Sequence, residues 1–155
     1  MSDKEGLNNK ISKADKAAEI FCDGYNCAQA VLTAFCEDYG IDLDTARKIS
    51  CGFGGGMGRT NEVCGAVSGA IMLIGLKHGK YIGEDEPAKE KTYALIQEFS
   101  RRFKELNGSV NCRELLGVEL ISGEKALIAS KVKVICPKMV KDAAIIVADI
   151  LERVE

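Results

Sequence analysis

Apolar residues recur at helical spacing along almost the whole of this chain, and the residues between them are those that start and stop helices. From Lys10 to Cys22, the side chains of Ile11, Ala14, Ala17, Ala18 and Phe21 share one face. Asn26 is placed to cap a second helix, which runs through Ala30, Val31, Ala34 and Phe35 and stops near Gly40. Asp44 is placed to cap a short third helix ending before Gly52. A fourth is expected from Asn61 to His78, with Gly79 as its stop. A long amphipathic helix follows from Glu86 to Leu106, with Pro87 in its first turn and Asn107-Gly108 as its end signal. Asn111 caps a short turn from Cys112 to Leu116, and Gly123–Val134 and Pro137–Val154 complete the set. Only Lys131–Ile135 alternates as a strand would, and it has no evident partner.

The chain has 155 residues, of which 46% are hydrophobic, enough to build one core without a staple. The expected fold is all-α: a single-domain bundle of about five to seven helices with a glycine-rich loop, residues 1–9 forming a flexible terminus. The charge balance, 21 basic against 23 acidic residues, gives no reason to expect a nucleic acid or an anionic membrane as partner. Met1–Lys10 is polar and has no secretory h-region. The longest apolar stretch, Val63–Leu76, is interrupted by glycines and falls short of the roughly 20 residues a membrane span needs. A cytoplasmic protein, with its thiols reduced, is expected. Nothing in the sequence names a redox partner protein, and a homo-oligomer stays open.

Seven cysteines stand in this chain, an odd number, and no two have Cys-x-x-Cys spacing. That pattern argues against a disulfide framework, a thioredoxin-type motif and the common zinc knuckles. Four of the seven fall where helices are expected to begin. Cys27 follows Asn26, Cys64 lies in the turn after Asn61, Cys112 follows Asn111, and Cys136 directly precedes Pro137. A helix start offers free N–H groups and positive potential, which stabilise a thiolate, the form that attacks disulfides and binds metals. Cys22, Cys36 and Cys51 lie toward helix ends of the other polarity, where no such help exists. For any one cysteine, the plain alternative is a small buried hydrophobe.

The segment Cys51-Gly-Phe-Gly-Gly-Gly-Met-Gly-Arg-Thr-Asn-Glu-Val-Cys64-Gly is the most distinctive in the chain. It lacks the Lys-Ser/Thr of a phosphate loop, and its glycines do not have dinucleotide-binding spacing. Gly54, Gly55 and Gly56 are read as a backbone wall whose N–H groups face an anionic centre near Cys64. The competing reading is a plain connector. Beyond it, Gly65 with Gly69 and Ala66 with Ala70 make small faces that let another helix pack close. His78 is the only histidine and is read as a surface residue at a helix end. With one histidine and no Cys-x-x-Cys-His, neither bis-histidine nor covalent haem is available.

Five motifs together resemble the C_GCAxxG_C_C family of redox-active proteins. They are Gly24-Tyr-Asn-Cys27-Ala-Gln-Ala-Val, Gly52-Phe-Gly-Gly-Gly-Met-Gly, Cys64-Gly-Ala-Val-Ser-Gly-Ala, Asn111-Cys112-Arg-Glu-Leu-Leu-Gly and Cys136-Pro. The resemblance runs from about Ala17 to the end. It implies a redox role for four family cysteines, here Cys27, Cys64, Cys112 and Cys136, and a likeness to the non-haem part of split-Soret cytochromes. Three uses of such a set are open. One is Cys₄ ligation of a [2Fe–2S] cluster for electron transfer. The second is metal-free thiol/disulfide chemistry, with pairs such as Cys27 with Cys64 and Cys112 with Cys136. The third is a structural Cys₄ zinc site without turnover. The first is placed slightly ahead and zinc last. Whether the protein is an enzyme or a carrier is not decided by the sequence.

Overall fold

A computed structural model describes the backbone of residues 3–155; the side chains of Asp3 and Ile11 lie outside the described residues. The helices are α1 (Asp3–Cys22), α2 (Cys27–Phe35), α3 (Leu43–Cys51), the single turn α4 (Gly54–Met57), α5 (Gly65–His78), α6 (Glu86–Asn107), α7 (Cys112–Leu116) and α8 (Lys125–Arg153). A 3₁₀ turn, Cys36–Tyr39, extends α2. Among the described residues there is no strand, only an isolated antiparallel bridge between Val63 and Asn111. The chain is an all-α, single-domain bundle of the kind its periodicity predicts.

α2 is the central helix, and almost every residue from Cys27 to Phe35 is buried. Its start is fixed by a reciprocal cap: the Asn26 side chain accepts from the Gln29 amide, and the Gln29 side chain accepts from the Asn26 amide, both at 3.0 Å. α5 crosses α2 closely because of its glycines. A Cβ at Gly69 would lie 2.8 Å from the Ala28 carbonyl oxygen and 3.2 Å from the Val31 Cβ. The small-residue face expected on this helix is therefore the face that meets α2. Around this pair, α1 buries Ala14 and Ala17, and α6 buries Leu95, Phe99 and Phe103. The second half of α8, from Met139 to Leu151, supplies Val140, Ala143, Ala144, Val147 and Ile150 to the core. Asp149 of α8 pairs with Lys10 at 2.8 Å and Arg102 at 2.7 Å, tying α1 and α6 to the same helix.

Several elements differ from expectation. α1 begins at Asp3, not at Lys10. The cap of α3 is Asp42, whose carboxylate accepts from the Thr45 amide at 3.0 Å; Asp44 lies inside the first turn. α5 starts at Gly65, because Asn61 adopts φ +59 and is a turn residue. The largest difference is α8, a single helix with Pro137 inside it. Pro137 removes one N–H donor, so the Lys133 carbonyl loses its helical partner. The apolar residues beyond Pro137 nevertheless bury in register with the helix before it, and that burial outweighs the break. Cys136 is accordingly mid-helix and has no helix start to activate it. His78 is buried rather than on the surface, and its Nε2 has no hydrogen-bond partner. Burial, with Lys91 and Lys77 nearby, lowers its pKa.

Candidate redox site

Cys27 is the first residue of α2, and its position follows from the Asn26 cap. Cys64 is the residue immediately before α5. These two helix starts abut: a Cβ at Gly65 would lie 2.5 Å from the Cys27 Sγ and 2.9 Å from the Phe53 carbonyl oxygen. Only glycine after Cys64 admits the Cys27 sulfur at this point. Cys112 is brought in by the bridge between Val63 and Asn111. The Cys64 amide donates to the Val110 carbonyl at 2.8 Å, and the Cys112 amide donates to the Glu62 carbonyl at 2.7 Å. The Asn111 side chain caps the short α7.

The glycine segment is built as a left-handed turn. Gly55, Gly56, Met57, Gly58 and Arg59 have φ of 67°, 65°, 68°, 63° and 69°. Five consecutive residues of this hand are tolerable only because three are glycine, since a left-handed helical residue with a Cβ costs about 1–2 kcal/mol. The turn closes through Gly58 N–H to the Gly54 carbonyl and Glu62 N–H to the Gly56 carbonyl, both at 2.9 Å. Each of the three glycines singled out in the sequence has a separate place. Gly54 packs on Asn26, where a Cβ would lie 2.5 Å from the amide side chain. The Gly55 amide is near enough to the Cys27 sulfur to help lower its pKa. Gly56 backs onto Cys112, where a Cβ would lie 2.7 Å from the Cys112 Cβ.

The electrostatics divide the four cysteines. The neighbouring Cys64 thiol does most to lower the Cys27 pKa to about 7, against the cost of burial. The Gly55, Ala28 and Cys27 amides act in the same direction. Cys64 is correspondingly raised well above the ordinary thiol range, first by its interaction with Cys27 and then by burial. Burial pushes Cys112 up to about 11, and the charge on Cys27 adds to this while Asn61 opposes it. Burial, then the charges on Cys27 and Cys112, push Cys136 up to about 12. The pair Cys27–Cys64 thus holds one proton between two sulfurs near neutrality. Cys27, Cys64 and Cys112 are buried, and Cys136 is the most accessible of the four.

The structure brings Cys27, Cys64 and Cys112 together around the glycine turn, and the charges on Cys27 and Cys112 reach Cys136. It does not bring Cys22, Cys36 or Cys51 there. Cys22 and Cys51 are exposed, and Cys36 donates to the Thr33 carbonyl within its own turn. None of the three bears on the ionisation of the other four. A donor set of four thiols suits an iron–sulfur cluster or zinc chemically. Their spacing does not suit it: no three cysteine, histidine or carboxylate side chains among the described residues stand close enough together to hold one metal ion.

Asn61 is a site residue that the helical reading hid. It is buried, and its amide nitrogen donates to the Val118 carbonyl at 3.1 Å and reaches the Cys112 Sγ at 3.7 Å. Its side-chain oxygen accepts from the Leu120 amide at 2.8 Å. The available signal was the Thr-Asn pair following a glycine run, because asparagine tolerates the left-handed conformation better than most residues. A helix cap draws on the same residue type, and that reading took precedence.

The residues assembled here lie within the part of the chain that known proteins match. Residues 25–150 match the family described as "Putative redox-active protein (C_GCAxxG_C_C)". An uncharacterized protein of Archaeoglobus fulgidus is 31% identical over 127 residues, which cover 74% of this chain and 84% of that protein. No solved structure matches the chain. Because the match takes in α2, the glycine turn and all four convergent cysteines, the chain belongs to the C_GCAxxG_C_C family.

Proposed function

We propose that the protein is a thiol–disulfide redox protein in which Cys27 is the attacking thiolate and Cys64 the resolving thiol. The observation that carries this reading is the abutment of the two helix starts at Gly65, which places the Cys64 thiol beside a Cys27 sulfur whose pKa it lowers to about 7. A thiol with a pKa near ambient pH combines a large thiolate fraction with retained nucleophilicity. In the reaction, the Cys27 thiolate attacks one sulfur of an external disulfide. The external S–S bond breaks, and the departing thiolate takes the Cys64 proton. The Cys64 thiolate then attacks the Cys27 sulfur of the mixed disulfide, and the second external thiolate leaves. Two electrons pass from the Cys27–Cys64 dithiol to the external disulfide. The reverse sequence reduces the protein. Burial of both sulfurs makes a local opening part of each turnover.

Ligation of a [2Fe–2S] cluster by Cys27, Cys64, Cys112 and Cys136 is the second reading. The donor set favours it, and the spacing of the sulfurs counts against it. A structural zinc site faces the same objection. The deciding experiment is anaerobic purification, with iron and zinc measured on the sample whose thiolate absorbance is titrated. The expected result is metal-free protein with a thiolate step near pH 7 that disappears in Cys27→Ser. Stoichiometric iron or zinc, with no such step, would overturn the dithiol reading.

A further inference from the structure

Arg59 takes the left-handed conformation of the glycine turn, at φ +69°, although it is not glycine. A side chain there is strained, and strained backbone collects at working sites. Nothing in the fold compensates for it. Arg59 is exposed, so its side chain adds nothing to the core. It makes no ion pair and no side-chain hydrogen bond among the described residues. Glycine, which stands on its N-terminal side as Gly58, would suit this backbone better.

The place of Arg59 ties it to the cysteine pair. A Cβ at Gly55 would lie 3.0 Å from the Arg59 Cγ and 3.2 Å from the Leu120 Cδ1, so the arginine stem and the leucine both lie against Gly55. The Gly55 amide is among those that stabilise the Cys27 thiolate. The Cys27 sulfur also abuts Gly65, which is buried at the start of α5, whereas Gly55 is only half-buried. Of these two covers, the turn is the thinner. The charges around it leave Arg59 free. Arg113 is committed to Glu119, the residue before Leu120. Glu62 and Glu114 are exposed and stand outside ion-pair distance of Arg59. An uncommitted cation thus lies beside the thinner cover of the reactive sulfur.

We propose that Arg59 sets the specificity of the cysteine site by receiving a carboxylate of the external disulfide, so that the preferred substrates are small disulfides with a carboxylate close to their sulfurs. A guanidinium can hold a carboxylate through two parallel N–H donors, which fixes the position of the attached group as well as neutralising its charge. Cys27 and Cys64 are only 8% and 7% exposed, an opening that suits a small disulfide rather than one set in the surface of a folded protein. This specificity rests on the dithiol reading above, and the exchange steps are those already given.

The test compares the rates at which an anionic disulfide, dithiodiglycolate, and a neutral one, hydroxyethyl disulfide, oxidise the reduced protein. Each rate is divided by that of the same disulfide with free mercaptoethanol, which removes the intrinsic difference between the reagents. The anionic-to-neutral ratio should exceed one in the parent protein and shrink as salt is added. It should fall about threefold to fivefold in Arg59→Met, which keeps an unbranched stem at Gly55 without the charge, and recover at least in part in Arg59→Lys. Arg101→Gln, which makes the same change of net charge on α6, should leave the ratio in place. All variants are compared after circular dichroism has shown them folded. Alkylation of Cys27 by iodoacetate and by iodoacetamide, read by peptide mass spectrometry, gives a second anionic-to-neutral ratio that involves no disulfide. A parent protein inert to both disulfides would refute the dithiol reading, and the alkylation ratio would then decide on Arg59. Ratios that are the same in the parent and Arg59→Met would overturn the proposal. So would a ratio lost in Arg59→Met and no better in Arg59→Lys, which would make the stem, not the charge, the part that matters.

Discussion

A Cβ at Gly56 would lie 2.6 Å from the Glu62 amide nitrogen and 2.7 Å from the Cys112 Cβ, in a backbone with φ +65°. Gly58 has φ +63° but no atom closer than 3.9 Å. Alanine at Gly58 therefore meets only the left-handed penalty, about 1–2 kcal/mol. Alanine at Gly56 meets the same penalty and about 1–3 kcal/mol of overpacking besides. Denaturant unfolding should rank Gly56→Ala well below Gly58→Ala, and equal stabilities would mean the turn does not back onto Cys112. Asn61→Ala removes the partners of Val118 and Leu120, and each buried group left unsatisfied costs about 1–3 kcal/mol. It should also raise the Cys112 pKa further, since Asn61 favours the thiolate. The pH dependence of alkylation separates the two central sulfurs. With its pKa lowered, Cys27 is protonated and slow below about pH 7 and becomes reactive as pH rises through that value. Cys64→Ala removes the largest lowering influence and leaves burial, so the Cys27 profile should move to higher pH. Peptide mass spectrometry of the alkylated protein reads both profiles, and an unmoved Cys27 profile would deny the pairing.

At the scale of elements, caps with a side chain of the right type proved legible. Asn26 and Asn111 each hold a helix start. Proline was the misleading signal. Its preference for a first turn is real, but a helix can run through it where the apolar residues that follow bury in the core, as beyond Pro137. The glycine segment was legible as backbone that comes close to a cysteine. Its hand was not, because periodicity carries no information on the sign of φ. The glycines of α5 show the same split. Small residues four apart announce a close crossing without naming the partner helix. Gly69→Ala should cost about 1–3 kcal/mol, because its Cβ meets the Ala28 carbonyl. Gly75→Ala, in the same helix with nothing within 4 Å, should stabilise by about 1 kcal/mol. Thermal melts of the two variants should move in opposite directions; a shared direction would place the α2–α5 contact elsewhere.

For the whole molecule, the convergence of Cys27, Cys64, Cys112 and Cys136 was readable only in part. Cys27 and Cys112 lie at helix starts held by asparagine caps, Cys64 directly precedes a helix whose expected cap, Asn61, is a turn residue, and Cys136 lies in the middle of α8. The helix-start argument selected Cys136 as well, for a start at Pro137 that the structure does not have. The unequal roles within the set were not legible, because they depend on which sulfur receives the other's proton. Replacing Cys22, Cys36 and Cys51 together with serine should leave the thiol chemistry intact, since none bears on the central four. Loss of reactivity in that triple variant would show that the wrong cysteines have been singled out. The central claim is tested most directly by adding one equivalent of a small disulfide to reduced, metal-free protein under anaerobic conditions and mapping the cross-linked peptides. The account predicts an intramolecular disulfide between Cys27 and Cys64 as the first product. A first disulfide that excludes Cys27, or four thiols that stay reduced until bound iron is removed, would contradict it.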